Sequence, residues 1–389
     1  MVTTAAETGF DLTLSEEQEL AQRAARDFAT EKILPRAAEI DDQGKLPPEL
    51  LREMAGLGFM GTYVPERYGG SGLDAVSYVL ILEEINRACA STGVMLCSHV
   101  SLAVDPILHH GSDAQKEKYL PKLARGEWIG CFALSEPASG SDAAAMRTAA
   151  RRDGNSWILN GTKNFITNGS LANVAIVFAQ TNPAQKHKGI AAFIVEKGTP
   201  GFSVGKLEKK LGIRGSDTAQ LIFQDARVPA ASLLGEADEG FRIALSTLDG
   251  GRISIAAQAV GIARACLEDS LAYAKQREAF GKKVADFQAI QWMLADMATE
   301  IDAARLLTWR AAALKDAGED HILAAAEAKL FASDVAVKAA RDCVQIFGGY
   351  GYLKDFPAER HYRDAKITEI YEGTSEIMKL VIAEEILKE

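Results

Sequence analysis

Residues 369–377 read EIYEGTSEI, with a lone acid, Glu372, set between Tyr371 and the run Gly373-Thr374-Ser375. Glycine and two hydroxyl residues interrupt a helix and favour turns and caps, so the stretch predicts a short loop with a helix restarting behind it. Thr374 or Ser375 would cap the apolar run Ile377, Leu380, Val381 and Ile382. Capping gives the hydroxyls a job and leaves Glu372 without one. A second stretch, CFALSEPASGSDAAAMRTAA at 131–150, sets Gly140 and Ser141 among small residues. Exposed backbone N–H groups and hydroxyls of that kind suit an anion or the polar edge of a cofactor, although such loops are also common as plain connections. In KLGIRGSDTAQLIF, Lys210 and Arg214 flank glycines and read as a solvated basic turn before a phosphate clamp. In QIFGGYGY, Gly348, Gly349 and Gly351 stand among aromatics, which suits either a helix C-cap or close approach to a flat ring or pyrophosphate.

The elements that must position these groups fall into three zones. Ser15-Glu-Glu-Gln18 fits a capping box, and Leu20, Ala24 and Phe28 follow at helical spacing until Pro35. Helical signals continue to about residue 125. From about 130 to 235, β-branched and aromatic runs such as NSWILNGTKNFITNG, VAIVFAQT and GIAAFIVEKG are punctuated by Asn-Gly and Pro, which predicts a sheet. Beyond it, Ala-rich amphipathic segments read as long packed helices. A chain of 389 residues, 48% of them hydrophobic, can bury a large core and suggests two or three domains. Lys and Arg total 43 against 53 Asp and Glu, a net charge of −10, so broad attraction to nucleic acid or an anionic membrane is not expected. The five cysteines are scattered without CxxC spacing, which points to reduced, core-filling thiols and to no zinc or other metal framework. No targeting segment or uninterrupted apolar stretch of membrane-span length is evident, and the expectation is a cytoplasmic protein.

Taken together, FALSEPASGSD, GTKNFITNG, the helix start LDGGRI, REAFGKKVADFQAIQ, QIFGGYGY and ERHYRDAKITEIYEGTSEI occur in the order and spacing of acyl-CoA dehydrogenases. The resemblance covers almost the whole chain, and LDGGRI and RLLTWRAA look closest to the short-chain, butyryl-CoA type. It implies a mainly α fold with a central β domain: an N-terminal helical domain at 1–126, a middle β-barrel at 127–236 and a C-terminal four-helix bundle at 237–389. It also implies a homotetramer with one FAD per subunit, partly at a subunit interface, and electron-transferring flavoprotein as electron acceptor.

The family reaction removes the α-hydrogen of an acyl-CoA thioester as a proton while the β-hydrogen leaves as hydride to flavin N5, giving a trans-2-enoyl-CoA. Glu372 matches the family's base, and burial against flavin and apolar substrate would raise its pKa. Its backbone N–H, with a flavin hydroxyl, is implied as the oxyanion donor, and Gly373 would let the chain pass close to substrate. For the flavin, the resemblance implies Phe132, Leu134, Ser135, Gly140 and Ser141 on one side and Phe165, Ile166 and Thr167 on the other. Relatives usually carry Trp where this chain has Phe165. Arg277, Gln288 and Gln345, Ile346, Phe347, Gly348 and Gly349 match groups holding the FAD diphosphate and adenosine. Thr374, Ser375 and Glu376 also match FAD contacts, and Ser141, Asp249 and Arg252 match CoA contacts. Some branched- and long-chain members take their base from a helix beginning LDxER, at the position that is Gly251 here, so Glu372 is the base expected. The wall 89–104, CASTGVMLCSHVSLAV, holds no Lys or Arg, which argues against a dicarboxylic acyl tail. Short branched or cyclic acyl groups, an oxygen-using acyl-CoA oxidase and a non-catalytic scaffold are the competing readings.

Overall fold

The computed structural model describes residues 13–388. Helix α1 (Glu16–Phe28) begins with the expected box: Gln18 N–H donates to Ser15 Oγ at 3.2 Å and Ser15 N–H to Gln18 Oε1 at 2.9 Å. Leu20 departs from its expected place, being 61% exposed, and the inner face is formed by Ala25 and Phe28 instead. Pro35 is absorbed in a short 3-10 turn, after which α2 (Ala37–Gln43) and α3 (Pro48–Gly56) follow. Then come α4 (Ala75–Ala88) and α5 (Ala90–Cys97), a wide turn at Ser98–Val104, α6 (Asp105–His110) and α7 (Asp113–Ala124). The continuous helical stretch Ala90–His110 is long and apolar enough to cross a membrane by composition, contrary to the reading of the sequence. Yet 94% of its apolar window is buried inside the fold, as in a helix that is apolar all round and packed on every side.

The central sheet uses β1 (Gly130–Ala133), β2 (Ala149–Asp153), β3 (Ser156–Thr167), β4 (Val174–Gln180), β5 (Ile190–Glu196), β6 (Phe202–Leu207), β7 (Thr218–Pro229) and β8 (Leu233–Leu234). Its order is β6-β7-β3-β2-β4-β5-β8, with β1 parallel to β4. Strands β4 and β5 are covered on both faces, which is why they read as continuous Val/Ile/Phe/Ala runs rather than alternating ones. One face packs Phe132 and Phe178 against the N-terminal helices, and the other buries Trp157, Leu159, Phe193 and Leu221. The β3–β7 ladder slips between Lys163 and Ile166, and this bulge re-aims the residues between them.

Helix α8 (Gly240–Gln276) is followed by a small hairpin of β9 (Glu278–Ala279) and β10 (Lys282–Lys283), then α9 (Gln288–Asp316), α10 (Ile322–Phe347), α11 (Ala358–Ala365) and α12 (Ser375–Ile386). Alanines of α8, α9 and α10 allow these helices to close on α4 around one core. Buried Glu83 and Glu84 of α4 are paired with Arg264 of α8, Arg305 of α9, Arg87 of α4 itself and Arg26 of α1, so no charge is left bare there. LDGGRI, read as a helix start, lies well inside α8 instead. Two glycines are tolerated there because the long helix is held by packing on all sides. All five cysteines are free and buried.

Candidate active site

The chain leaves a 3-10 turn at Lys366–Glu369, makes a non-helical turn and re-enters helix at α12, where Thr374 Oγ1 accepts from Ile377 N–H at 3.3 Å. Within the turn Glu372 and Gly373 both have positive φ, 52° and 100°. That conformation is ordinary for glycine and uncommon for glutamate, so the surroundings must hold it. It turns the carboxyl of Glu372 onto α8. A Cβ added at Gly251 would overlap Glu372 Oε2 and stand 2.9 Å from Leu102 Cδ2, so only glycine fits at Gly251 without displacing the acid.

Glu372 Oε2 is enclosed and has no hydrogen-bond partner among the described residues. Burial raises the Glu372 pKa to about 7, with the cations of Lys329 and Arg252 opposing the rise. Arg252, 6% exposed, donates through Nη1 to Asp249 Oδ1 at 2.5 Å, while its Nε is enclosed without a partner among the described residues. Burial raises the Asp249 pKa, and Arg252 works against it. The neighbouring hydroxyls are already engaged: Tyr78 Oη with Ser101 Oγ at 3.1 Å, Ser101 Oγ with Ser254 Oγ at 2.6 Å, and Tyr371 Oη with Gln258 Oε1. The site therefore presents one acid of near-neutral pKa with an enclosed, unpaired oxygen, the arrangement a general base needs.

A second group of predicted residues surrounds the bulge of β3. Phe165, at φ 59°, projects outward and is 62% exposed. Ile166, 2% exposed, is turned into the sheet core, so only its backbone can face a ligand, and Thr167 pairs with Thr218. Phe132 and Leu134 are likewise buried, Phe132 lying 4.9 Å from Phe178 by ring centroid. The Ser135 carbonyl accepts from Asn164 N–H at 2.8 Å, and Asn164 Oδ1 is enclosed without a partner among the described residues. Gly140 and Ser141 are exposed, and the chain just after them, from Asp142 to Arg147, lines a cavity of about 560 Å³ together with Lys186. Lys210 and Arg214 turn back on their own loop, donating to the carbonyls of Ser216 and Leu211.

The remaining predicted residues lie elsewhere. Arg277, Ile346, Phe347, Gly348 and Gly349 line a cavity of about 460 Å³ with Tyr273 and Tyr350, and Arg277 sits 5.4 Å above the Tyr350 ring. Gln345 and Gln288 are exposed, Gln288 opening α9. Lys329, beside the Glu372 turn, and Phe347 share α10 and are separated by roughly 27 Å along it, at about 1.5 Å per residue. The chain thus brings Glu372, Gly373, Asp249 and Arg252 together and keeps the Arg277 cavity apart from them. Ser375 Oγ, at the start of α12, is enclosed with no partner among the described residues, whereas Glu376 is exposed.

Three charged residues escaped the sequence reading. Lys163, fully buried, donates to Leu134 O at 2.9 Å and to Glu136 Oε1 at 2.8 Å, and burial lowers its pKa to about 8 against the pull of Glu136. Glu136 in turn accepts from the N–H groups of Arg147 and Thr148, tying both ends of the 134–148 loop to β3. Lys329 donates to Gly373 O at 2.6 Å. The available signal was a Lys and a Ser, four residues apart, inside the alanine-rich run of α10.

Three family models match consecutive parts of the chain: acyl-CoA dehydrogenase N-terminal domain at 15–127, middle domain at 131–226 and C-terminal domain at 238–387. The human mitochondrial short-chain specific acyl-CoA dehydrogenase is 52% identical over 375 residues, 96% of this chain and 91% of that protein. The butyryl-CoA dehydrogenase structure from Megasphaera elsdenii superposes with a TM-score of 0.95 at 47% identity, covering 97% of this chain and all of that one. A chain in a structure described as the electron transferring flavoprotein of Acidaminococcus fermentans superposes with a TM-score of 0.96 at 49% identity, covering 97% and 100%. With all three domain models matched in order and this fold beneath them, the chain belongs to the acyl-CoA dehydrogenase family and is an oxidoreductase.

Proposed function

We propose that this enzyme converts a short-chain acyl-CoA thioester to the trans-2-enoyl-CoA, with Glu372 taking the α-proton. The observation that carries the reading is the enclosed, unpartnered Glu372 Oε2 at a pKa near 7, pressed against Gly251. The Glu372 N–H donates no backbone hydrogen bond among the described residues, leaving it free for the thioester oxygen, where charge grows as the proton leaves. Arg252 and Asp249 on α8, with the exposed Ser141, are the groups we assign to CoA. The enclosed Ser375 Oγ and Asn164 Oδ1 and the outward Phe165 ring fit a flavin, which Phe132, Leu134, Ser135, Gly140, Ser141, Ile166, Thr167, Thr374 and Glu376 would hold. FAD, when bound, supplies the acceptor for the β-hydrogen as hydride. Arg277, Gln288 and Gln345 to Gly349 would hold the diphosphate and adenosine of a flavin shared with a neighbouring subunit, in keeping with their distance from Glu372 and with a homotetramer. Electron-transferring flavoprotein is the proposed acceptor.

We assign the short-chain preference to buried Gln258, two turns along α8 from Gly251 on the same face, whose Oε1 accepts from Tyr371, the residue before the base. The purified protein is expected to be yellow and to bleach anaerobically with butyryl-CoA, at least tenfold faster than with octanoyl-CoA. Branched and cyclic acyl-CoAs belong in the same panel, and faster bleaching by one of them would reassign the substrate. A colourless protein that FAD cannot reconstitute would overturn the assignment, and rapid reoxidation by air alone would make it an oxidase. Since only the carboxylate form of Glu372 can accept a proton, the bleaching rate should rise with pH through about 7 and level off above it. A rate that is flat from pH 5.5 to 8.5 would contradict this.

A further inference from the structure

Lys329 lies on α10 with its side chain fully buried, and its Nζ donates to Gly373 O at 2.6 Å. One turn on, Ser333 Oγ stands 2.8 Å from Thr368 O and 2.7 Å from Lys329 O of its own helix, so its one proton is shared between the two carbonyls. Two side chains of one rigid helix therefore touch carbonyls on either side of Glu372, Lys329 holding that of Gly373 and Ser333 sharing its proton with that of Thr368. Between those anchors the backbone carries consecutive positive φ values, a conformation that persists only where neighbours over-determine it. A lysine is a costly choice for a mere tether, because its charge must be taken out of water; a neutral donor would make the same bond. We propose that Lys329 is a positioning residue for Glu372: from α10 it anchors the Gly373 carbonyl and keeps a cation beside the enclosed carboxylate. This rests on the reading of Glu372 as the base.

The charged groups around the pair are few. Arg252 of α8 faces both Lys329 and Glu372, while Glu369 and Asp334 face Lys329. The groups facing Glu372 from α4, α5 and its own turn, Tyr78, Cys97 and Tyr371, have pKa values raised well above their ordinary ones and stay neutral. Removing the Lys329 charge leaves Arg252 as the one cation opposing burial, so the Glu372 carboxylate must become a weaker acid and form at higher pH.

The test is the pH dependence of anaerobic flavin reduction by butyryl-CoA in the holoenzyme of Lys329→Met, Lys329→Gln and Lys329→Arg. The Met variant is expected to reduce the flavin about tenfold more slowly at pH 7, with less than a threefold change in KM and an acidic limb moved up by about one pH unit. The Gln variant keeps a donor without the charge, so its limb should also move. The Arg variant keeps both, and its limb should stay. A structural tether alone would lower rates without moving the limb. Glu372→Gln assayed alongside separates the two readings: if it stays active the base assignment fails, whereas an inactive Glu372→Gln with an unmoved limb in whichever neutral Lys329 variant folds overturns the Lys329 proposal alone. Melting temperature gives a readout independent of turnover. Burial lowers the Lys329 pKa to about 8 against the pull of Glu372, so the comparison belongs at pH 7, where Lys329 is largely charged: the loss caused by Lys329→Met there should shrink in the Glu372→Gln background, where no carboxylate remains to be neutralised.

Discussion

Glu372→Gln is expected to slow flavin reduction by butyryl-CoA by about 10²- to 10⁴-fold, the range a positioned general base supplies, while the flavin stays bound. The amide matches the carboxyl in size, so it fits the same space against Gly251, but it cannot take a proton. The stability change should run the other way. The folded pKa of Glu372 is raised from 4.5 to about 7, so the folded state holds a proton that the unfolded chain releases. Below about pH 4.5 both states are protonated and Glu372 imposes no penalty. As pH rises from there to about 7 the penalty grows, and above 7 it is constant, amounting to about 1–3 kcal/mol. The Gln variant should therefore melt at a higher temperature than wild type at pH 8 and at nearly the same temperature at pH 4.5. An active variant, or one whose advantage is the same at both pH values, would show that Glu372 is neither the base nor a buried charge.

Local signals in the sequence were read well where the chemistry is local. Ser15 and Gln18 form their box, Thr374 caps α12, and the β-branched runs between 130 and 235 are strands, because each depends on residues a few positions apart. Leu20 and LDGGRI were misplaced because burial and helix length depend on distant partners: Leu20 has none over it, and α8 runs through two glycines on the strength of packing by α4 and α10. The Glu372 turn was legible as a turn, but the sign of its φ and the direction of its carboxyl were not. Lys329, Lys163 and Glu136 were missed for one reason. A charged residue in a sequence reads as solvent-facing unless its partner is known, and these partners lie across the fold at Gly373, Leu134 and Thr148.

Gly251→Ala tests whether the enclosed pose of Glu372 is the working one, with an expected loss of about 10- to 100-fold in the flavin-reduction rate. The added methyl would meet Glu372 Oε2, the end of a flexible side chain, and Leu102 Cδ2 at 2.9 Å, so the acid can yield by rotating away and the fold need not break. Alanine also favours helix over glycine by about 1 kcal/mol, offsetting part of the repacking, so the melting temperature should change by only a few degrees. Rate and stability then separate, which distinguishes a displaced base from a damaged protein. Gly250→Ala, whose methyl would face Lys315 Nζ at 2.8 Å and not the acid, is the control and should lose far less activity. In the double variant Gly251→Ala with Glu372→Gln the losses should not add, because a carboxylate that is already gone cannot be displaced. If Gly251→Ala instead reduced flavin at the wild-type rate with the acidic limb unmoved, the base would have to work from another position, and the absence of a side chain at Gly251 would owe nothing to catalysis.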